Sequence, residues 1–535
     1  MNWYLVLRII GVLAGIMAVA MIPSLGLAAF GGDPEGIAAV TTSAFGRGIT
    51  LSALVSAILL LTTWGRVGNR FSASDGFAIA TFGWLLLAVL AAVPLYLCKG
   101  MTPLGDDLTG ASPNWRFTFV DAFFEAMGGL TTTSSSVFGT DGSVEGGRGL
   151  VEGLPPSFLF MRSLCHWLGG MGIVVLCLAL LPALSAGGYQ VFQAEVPGPA
   201  AEKLRPRLRE TAAILWGVYA AMTAVLVLLF WLGKMPLLDA ICHAFGTIST
   251  GGCSTKDASI AHYAQTGHPS ALYFEVVTIV FMLFSSISFL LHFQALRGSL
   301  EGYRRNEELR FYAVVLVAST LLVGLGLALW GGSAYADKAT LTRHAVFQVV
   351  SIATSTGYYS ADFDAWPALC RIVLIALAFG GGCAASTAGG LKQIRLLVLF
   401  RYCHREVMRL LRPGLERPIR VGDAIVDSRR VSQIVGLMVL WVGVIVVGSV
   451  VLAFLLHGAD NPSFDGHHDS HLVTVLTATV ACVSNVGPGL SGAGPTQNYG
   501  WMPAGAKLLL SFCCLLGRLE IYSVIILLLP RTWRG

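Results

Sequence analysis

Four short stretches of this 535-residue chain carry residue types that could hold a bare cation. They are Thr132-Thr133-Ser134, Thr250-Gly251-Gly252, Ser355-Thr356-Gly357 and Asn485-Val486-Gly487. Each is small and either hydroxylated or glycine-containing, yet each lies between apolar segments long enough to cross a bilayer. A polar, non-helical segment at that depth is tolerated only where it lines a cavity or is buried in protein. A dehydrated cation needs oxygens in place of its water shell, and rings of backbone carbonyls can supply them. Glycine helps the chain turn its carbonyls inward, because it adopts φ > 0 without penalty. Three stretches offer such a glycine, namely Gly252, Gly357 and Gly487, whereas the first carries Ser134. The bland alternative is that all four are small-residue sites of helix packing.

The stretches keep a register. Asp121-Ala122, Asp239-Ala240, His344-Ala345 and Thr474-Val475 lie thirteen residues before Ser134, Gly252, Gly357 and Gly487 respectively. The same register makes Glu125, His243 and Gln348 equivalent, and it selects Gly252 over Gly251 as the turn residue of the second stretch. Self-similarity of this kind marks an internal repeat, and four repeats suggest four walls of one pore.

The rest of the chain must position these walls. Hydrophobic residues make up 55% and charged residues 12%, against roughly 25% charged in a soluble domain. The chain therefore reads as an all-α polytopic membrane protein. A span needs about 20 apolar residues. Candidate runs are Leu5–Phe30, Ile49–Trp64, Phe77–Leu97, Leu159–Leu184, Ala212–Leu232, Leu272–Phe293, Phe311–Trp330, Ile372–Leu399, Val431–Leu456 and Ala504–Leu529. Leu5–Phe30 is too long for the apolar core of a signal peptide and reads as a retained helix. Shorter, half-apolar segments lead into the polar stretches and suit re-entrant half-helices.

Basic residues crowd particular junctions: Arg66 and Arg70; Lys203, Arg205, Arg207 and Arg209; Arg304, Arg305 and Arg310; the many arginines from Arg395 to Arg430; and Arg531 with Arg534. The positive-inside rule places them in the cytoplasm. The expected architecture is two N-terminal helices followed by four parallel repeats around a central pore, each reading span, half-helix, polar turn, span. The boundaries fall at 1–70 for the two helices and 71–200, 201–300, 301–415 and 416–535 for the repeats. The half-helices run inward, so their partially negative C-terminal ends face the centre and favour cations. The eleven cysteines show no paired C-x-x-C spacing, which argues against a disulfide framework or zinc site.

Two further features sit below the stretches. Gly380-Gly381-Gly382-Cys383-Ala384-Ala385-Ser386-Thr387-Ala388-Gly389-Gly390 interrupts the last span of the third repeat. So many small and helix-disfavouring residues mark a break, or else a site of close helix packing. Arg518 falls mid-span in the last apolar run, where charge is expensive and usually functional. Glu520 is two positions along and on another helix face, so a simple pair with Arg518 is not expected. Arg162, Glu275, Arg371 and Lys507 lie near the outer starts of second spans and read as interface anchors or inter-repeat ion pairs. The run Asp465 to His471 has metal-ligating residue types, but it reads as a solvated outer loop.

These motifs together resemble the Trk/Ktr/HKT family of potassium transporters, and most of all its TrkH-type membrane subunit. The resemblance rests on His166-Trp167-Leu168-Gly169-Gly170-Met171-Gly172, Ala194-Glu195-Val196-Pro197-Gly198-Pro199, Ser249 to Thr255, Ser351 to Tyr358, Gly381 to Lys392, Asn485 to Gly489 and Leu516-Gly517-Arg518-Leu519-Glu520-Ile521. It implies a homodimer in the lipid of a bacterial inner membrane, with one potassium-conducting pore per protomer. It further implies that the four stretches form the selectivity filter. The Gly380–Gly390 loop would obstruct the pore beneath them, and Arg518 would face it there. Serine at the place of Ser134 goes with sodium preference in the plant branch of the family, so weak selectivity over sodium is expected.

The resemblance also implies gating by a cytoplasmic TrkA-type nucleotide-binding ring. This chain has no glycine-rich phosphate loop between a strand and a helix, so no organic cofactor is expected on it. The basic stretch Arg401–Arg430 is either the contact for that ring or a solvated loop. Nothing points to nucleic acid. Two other functions compete. An ion-coupled transporter would want titratable groups along the path, and the four stretches have none. An intramembrane serine protease would need a nucleophile with a placed base; Gly331-Gly332-Ser333-Ala334 is the nearest imitation, without a convincing histidine.

Overall fold

The computed structural model describes residues 1–66, 72–98, 117–139, 151–172, 208–412, 418–422, 424–459 and 468–533. Among these residues, six helices are long and apolar enough to cross a membrane, and two sharply bent helix pairs raise the number to as many as eight. The chain is a multi-pass helical membrane protein. The junction residues Arg70, Lys203, Arg205 and Arg207, the Ala194–Pro199 motif, the second half of Leu159–Leu184 and residues 465–467 of the Asp465–His471 run lie outside the described residues.

The first apolar run forms Trp3–Ala20 and Ile22–Ala29. Its Val6, Leu13 and Met17 are fully buried, packed against Glu35–Thr62 and Ala73–Leu97. This helix is part of the core.

The four first spans are Ala73–Leu97, Leu208–Leu232, Glu307–Trp330 and Ser428–Leu455. Each is followed by a half-helix: Phe119–Leu130, Leu237–Ile248, Lys338–Ala353 and His468–Val483, of 12, 12, 16 and 16 residues. At 1.5 Å per residue these reach about 18–24 Å, short of the ~30 Å hydrocarbon core, so they enter and stop. Polar side chains cap the outer ends of the first and third. Thr118 and Asp121 form a capping box, and Asp337 caps the third half-helix through the backbone N–H groups of Ala339 and Thr340.

The second spans depart from the sequence reading. Leu272–Phe293 and Ala504–Leu529 were expected to be continuous. Instead, Ala271–Ser286 and Phe289–Leu296 meet at 101°, and Ala504–Arg518 and Tyr522–Leu528 meet at 115°. The third span breaks at Gly380 as expected and resumes at Gln393–Leu411. Pro156–Gly170 ends just before Gly172, which has φ 69°. Thus the inner helix of every repeat stops after 15, 16, 13 or 15 residues. In the fourth repeat the turn is made by Glu520 and Ile521, both left-handed, and nothing in their residue types announces it. Arg518 is therefore not mid-helix. It is the last residue of its helix, at the break.

Ion pairs tie the outer ends of the repeats together. Arg162 pairs with Glu125 at 2.6 Å within repeat one, and Arg343 is bidentate on Glu275 at 2.6 and 2.8 Å between repeats three and two. Lys507 of repeat four meets Asp121 of repeat one, with both side chains almost wholly buried. Removing one partner of such a pair strands a buried charge and costs about 3–5 kcal/mol. Lys507→Met is therefore expected to lower the thermal unfolding midpoint of the detergent-solubilised protein by several degrees. An unchanged midpoint would show that water or a rearranged neighbour takes over the charge of Asp121.

A two-stranded hairpin pairs Arg420 with Ile425 and Val421 with Ala424. It is the one β element among the described residues. Glu307, at the start of the third repeat's first span, holds it through Arg401 and the backbone N–H of Gly422, both at 2.9 Å.

Candidate functional site

The four half-helices end alike. In each, the residue after the helix cap is left-handed: Thr132 at φ 55°, Thr250 at 54°, Ser355 at 56° and Asn485 at 52°. The next residue returns its backbone N–H to the helix. Thr133 bonds the Gly128 carbonyl at 2.7 Å, Gly251 that of Gly246 at 2.8 Å, Thr356 that of Ser351 at 2.9 Å and Val486 that of Ala481 at 2.9 Å. This is a Schellman ending, whose left-handed position is usually glycine. A non-glycine there costs roughly 1–2 kcal/mol, and a β-branched residue such as Thr132 or Thr250 is an outlier. Strain repeated four times at one place is a mark of function.

The left-handed side chains have work below the ring. Thr132 Oγ1 accepts from Arg518 at 3.2 Å, and Ser355 Oγ accepts from the Gly389 backbone N–H at 2.6 Å. Asn485 Nδ2 donates to Thr133 Oγ1 and to the Cys514 carbonyl, both at 2.9 Å. Thr250 Oγ1 bonds the Ser249 carbonyl at 2.6 Å. Glycine at these positions would remove the strain and the bonds together.

Two residues further on, Gly252, Gly357 and Gly487 are left-handed again, at φ 60°, 84° and 99°. The register chosen from sequence, with Gly252 rather than Gly251 as the turn, is the one observed. Close packing adds a second demand for glycine: a Cβ on Gly357 would lie 2.9 Å from both Ser134 Oγ and Pro488 Cδ.

Ser134 stays out of the left-handed region. Its hydroxyl crosses the ring instead and donates to the carbonyls of Gly251 and Thr356, the latter at 2.7 Å. A Cβ on Gly487 would come within 2.6 Å of Ser134 Cα. Ser134 thus touches all three other repeats, and the four stretches converge on one point.

The strands leaving the ring are braced from equivalent positions. Glu125 accepts from Ser136 Oγ and from the Val137 N–H, His243 bonds Ser254 Oγ at 3.1 Å, and Gln348 bonds the Ala361 carbonyl at 3.3 Å. In the fourth repeat the equivalent position is Ala478, and its neighbour Thr477 does the bracing: its Oγ1 accepts from the Leu490 N–H at 2.9 Å. The sequence register placed the first three together; their role in holding the ascending strand is legible only in the fold.

Beneath the ring, the Gly380–Gly390 segment forms a loop with a closed neck. Gly381 and Gly390 pack backbone to backbone, and the Leu391 N–H reaches the Phe379 carbonyl at 3.1 Å. The Gln393 N–H bonds the Gly382 carbonyl at 3.0 Å. The loop contacts the second and fourth repeats as well as its own. Thr387 Oγ1 donates to the carbonyls of Ile248 and Ser285 at 3.1 Å, and the Ala385 carbonyl accepts from Phe289 at 3.0 Å. Gly389 lies against Ser484 and Asn485. Ser386 Oγ folds back on the Cys383 carbonyl, and Lys392 Nζ holds that of Ala388.

Arg518 completes the arrangement. It donates to the Thr387 carbonyl at 2.9 Å, to Thr132, and to the carbonyls ending the Pro156–Gly170 helix, Gly169 at 2.5 Å and Gly170 at 2.7 Å. Glu520 pairs with Arg395 and not with Arg518, as expected, but the reason differs: Glu520 lies in the turn beyond the helix that Arg518 ends. Glu308 was missed. Its carboxylate accepts from the backbone N–H groups of Ala384 at 2.7 Å and Ile394 at 3.1 Å, one on each side of the loop. In sequence it looks like any acid in the first turn of a helix.

The protease imitation has no such construction. Ser333 is exposed at the outer end of its span, and His344, the nearest histidine in sequence, bonds Ser360 Oγ at 2.9 Å.

Comparison with known proteins agrees with this geometry. Residues 42–533 match the family model TrkH, described as a cation transport protein. The Trk system potassium uptake protein TrkH of Salmonella typhimurium is 34% identical over 540 residues, covering 100% of both chains. TrkG of Escherichia coli K12, also a Trk system potassium uptake protein, is 31% identical over 475 residues, 88% of each chain. The crystal structure of the potassium transporter TrkH from Vibrio parahaemolyticus superposes with a TM-score of 0.80, at 30% identity and full coverage of both chains. With that coverage and a ring built from four matching half-helix ends, the chain belongs to the TrkH family of cation transport proteins.

Proposed function

We propose that this protein takes up potassium through a channel-like pore whose narrowest part is the ring of Thr132–Ser134, Thr250–Gly252, Ser355–Gly357 and Asn485–Gly487. The observation that carries this reading is the fourfold left-handed ending of the half-helices, with the negative ends of four helices converging on one point; a ring of carbonyls there would suit a dehydrated cation. The relatives named as potassium uptake proteins support K⁺ as the transported ion. The reading is transport rather than catalysis.

The Gly380–Gly390 loop with Arg518 is the gate, since it closes the space directly beneath the ring. The protein acts as a homodimer together with a cytoplasmic nucleotide-binding ring. Support comes from the Trk system naming of the relatives and from the Glu307–Arg401 link between the cytoplasmic hairpin and the span that carries Glu308. A ligand-driven pull on that hairpin would reach the loop through two adjacent carboxylates.

Purified protein in liposomes tests the function. Potassium entry down its gradient, without a co-ion and under bi-ionic conditions with sodium, is the expected result. Entry that requires a proton or sodium gradient would favour an ion-coupled transporter instead.

A further inference from the structure

The cavity above the ring holds a feature that ion conduction does not use. It is lined by Ser134, Gly252, Gly357 and Gly487 at its floor, and by His166 and Cys253 at one wall. His166 is buried, and its Nδ1 lies 3.0 Å from the Arg162 carbonyl. A carbonyl only accepts, so Nδ1 carries the proton and Nε2 keeps its lone pair. That Nε2 is buried without a hydrogen-bond partner. Cys253 lines the same cavity as His166, and its Sγ accepts from Ser163 Oγ at 3.8 Å.

An imidazole fixed through Nδ1–H to a backbone carbonyl, with Nε2 free beside a thiol, is the usual build of a metal-ligating histidine. We propose that Cys253 Sγ and His166 Nε2 form a two-coordinate site for a soft monovalent cation such as Ag⁺ or Cu⁺, entered from the outer cavity. Thiolate and imidazole are ligands that select such ions. Among the described residues no three His, Cys, Asp or Glu side chains cluster as a metal site, so a tetrahedral ion finds no cage. Binding exchanges the thiol proton for the metal: the S–H bond breaks, the S–metal bond forms and one proton leaves to water. The nearby guanidinium of Arg162 is neutralised by Glu125 at 2.6 Å, which lessens its repulsion of an entering cation.

The site lies against the ring. A Cβ on Gly251 would sit 3.0 Å from His166 Cγ, so the imidazole packs on the backbone that supplies a ring carbonyl. A metal drawing His166 and Cys253 together pulls on both sides of Gly251-Gly252. It is expected to block flux from outside. The block rests on the pore reading; the binding does not.

The probe is Ag⁺ in chloride-free nitrate buffer. Full-length protein is incubated with it, passed through gel filtration and assayed for retained silver. Cys253→Ser is expected to retain one Ag⁺ fewer per chain than the unmodified protein, whereas Cys403→Ser, which removes an exposed thiol, removes no more than its own surface ion. In liposomes, external Ag⁺ is expected to stop potassium entry, with the half-blocking concentration raised about tenfold or more by Cys253→Ser or His166→Gln. Should either variant fail to fold, the unmodified protein still decides: Ag⁺ must protect Cys253 from N-ethylmaleimide in peptide mapping. Labelling of Cys253 undiminished by Ag⁺, or equal silver retention with and without the thiol, overturns the proposal. Retained silver and protection without any ion entry would instead leave the site standing and count against the pore.

Discussion

Liposomes carrying a chain without Ala384–Ala388 are expected to take up potassium about tenfold faster than liposomes carrying the unmodified chain. The reason is the shape of the loop. Its neck is already closed by Gly381 against Gly390 and by the Leu391–Phe379 and Gln393–Gly382 hydrogen bonds, so the flanking helices need not move when its tip is removed. A compact loop with adjacent ends tolerates this better than an extended linker. What is lost is the set of bonds holding the tip under the ring: Arg518 to the Thr387 carbonyl, and the Thr387 hydroxyl to the carbonyls of Ile248 and Ser285. The Arg518 bond, and the one Thr387 hydroxyl proton shared between its two carbonyls, are each worth about 0.5–1.5 kcal/mol net, and each 1.4 kcal/mol of bias toward the closed state is a factor of about ten in the open population. Thr387→Ala, which removes only the hydroxyl bonds, is expected to give a smaller rise of about threefold. A folded, shortened chain with unchanged uptake would demote the loop to a packing element.

Much of this site was legible because it repeats. A half-apolar segment followed by small residues says little alone, but four at a thirteen-residue offset reveal both the half-helices and the ring. The register even separated Gly252 from Gly251, since only one of them matches Gly357 and Gly487. The break at Gly380–Gly390 was visible because its composition cannot sustain a helix.

The breaks at Ser286–Phe289 and Arg518–Tyr522 were not visible. Ile287, Leu519 and Ile521 are ordinary span residues, and the bends are imposed from outside. Cys383 and Thr387 bond the carbonyls of Ser286 and Ser285, while Arg518 is drawn to carbonyls of two other repeats. Such tertiary overrides leave no local pattern. The left-handed Thr132, Thr250, Ser355 and Asn485 escaped for the same reason. Residue preferences argue against threonine there, and only the bonds of Thr132 to Arg518 and of Ser355 to Gly389 explain why glycine is not used. Glu308 could not be told from a dipole-complementing acid until the loop it holds was seen.

Ser134→Gly is expected to raise the K⁺/Na⁺ permeability ratio by about tenfold or more. The family resemblance alone implies weak selectivity over sodium, because serine at this place goes with sodium preference in its plant branch, and a left-handed serine would cost roughly 1–2 kcal/mol. The geometry sharpens this. Ser134 avoids the left-handed conformation and spends its hydroxyl on the carbonyls of Gly251 and Thr356. In the proposed filter, those oxygens are the ones a dehydrated cation would use as ligands. The hydroxyl has one proton to share between these two carbonyls, so a potassium ion coordinated on all sides would have to displace it, at a cost of about 0.5–1.5 kcal/mol. Sodium that keeps part of its water can donate to the hydroxyl and remaining carbonyls through that water, so it is less penalised. Glycine removes the hydroxyl, frees both carbonyls and permits the left-handed turn that Gly252, Gly357 and Gly487 already make. The space is sufficient, since the substitution only deletes atoms next to Gly357 and Gly487. Bi-ionic flux in liposomes measures the ratio directly. Ser134→Ala separates the two contributions: it frees the carbonyls but keeps the Cβ and the unfavourable turn, so an intermediate ratio is expected. If the unmodified protein already excludes sodium strongly and neither substitution changes the ratio, the Ser134 hydroxyl yields to potassium without cost. Selectivity would then reside in the three glycine-bearing repeats alone.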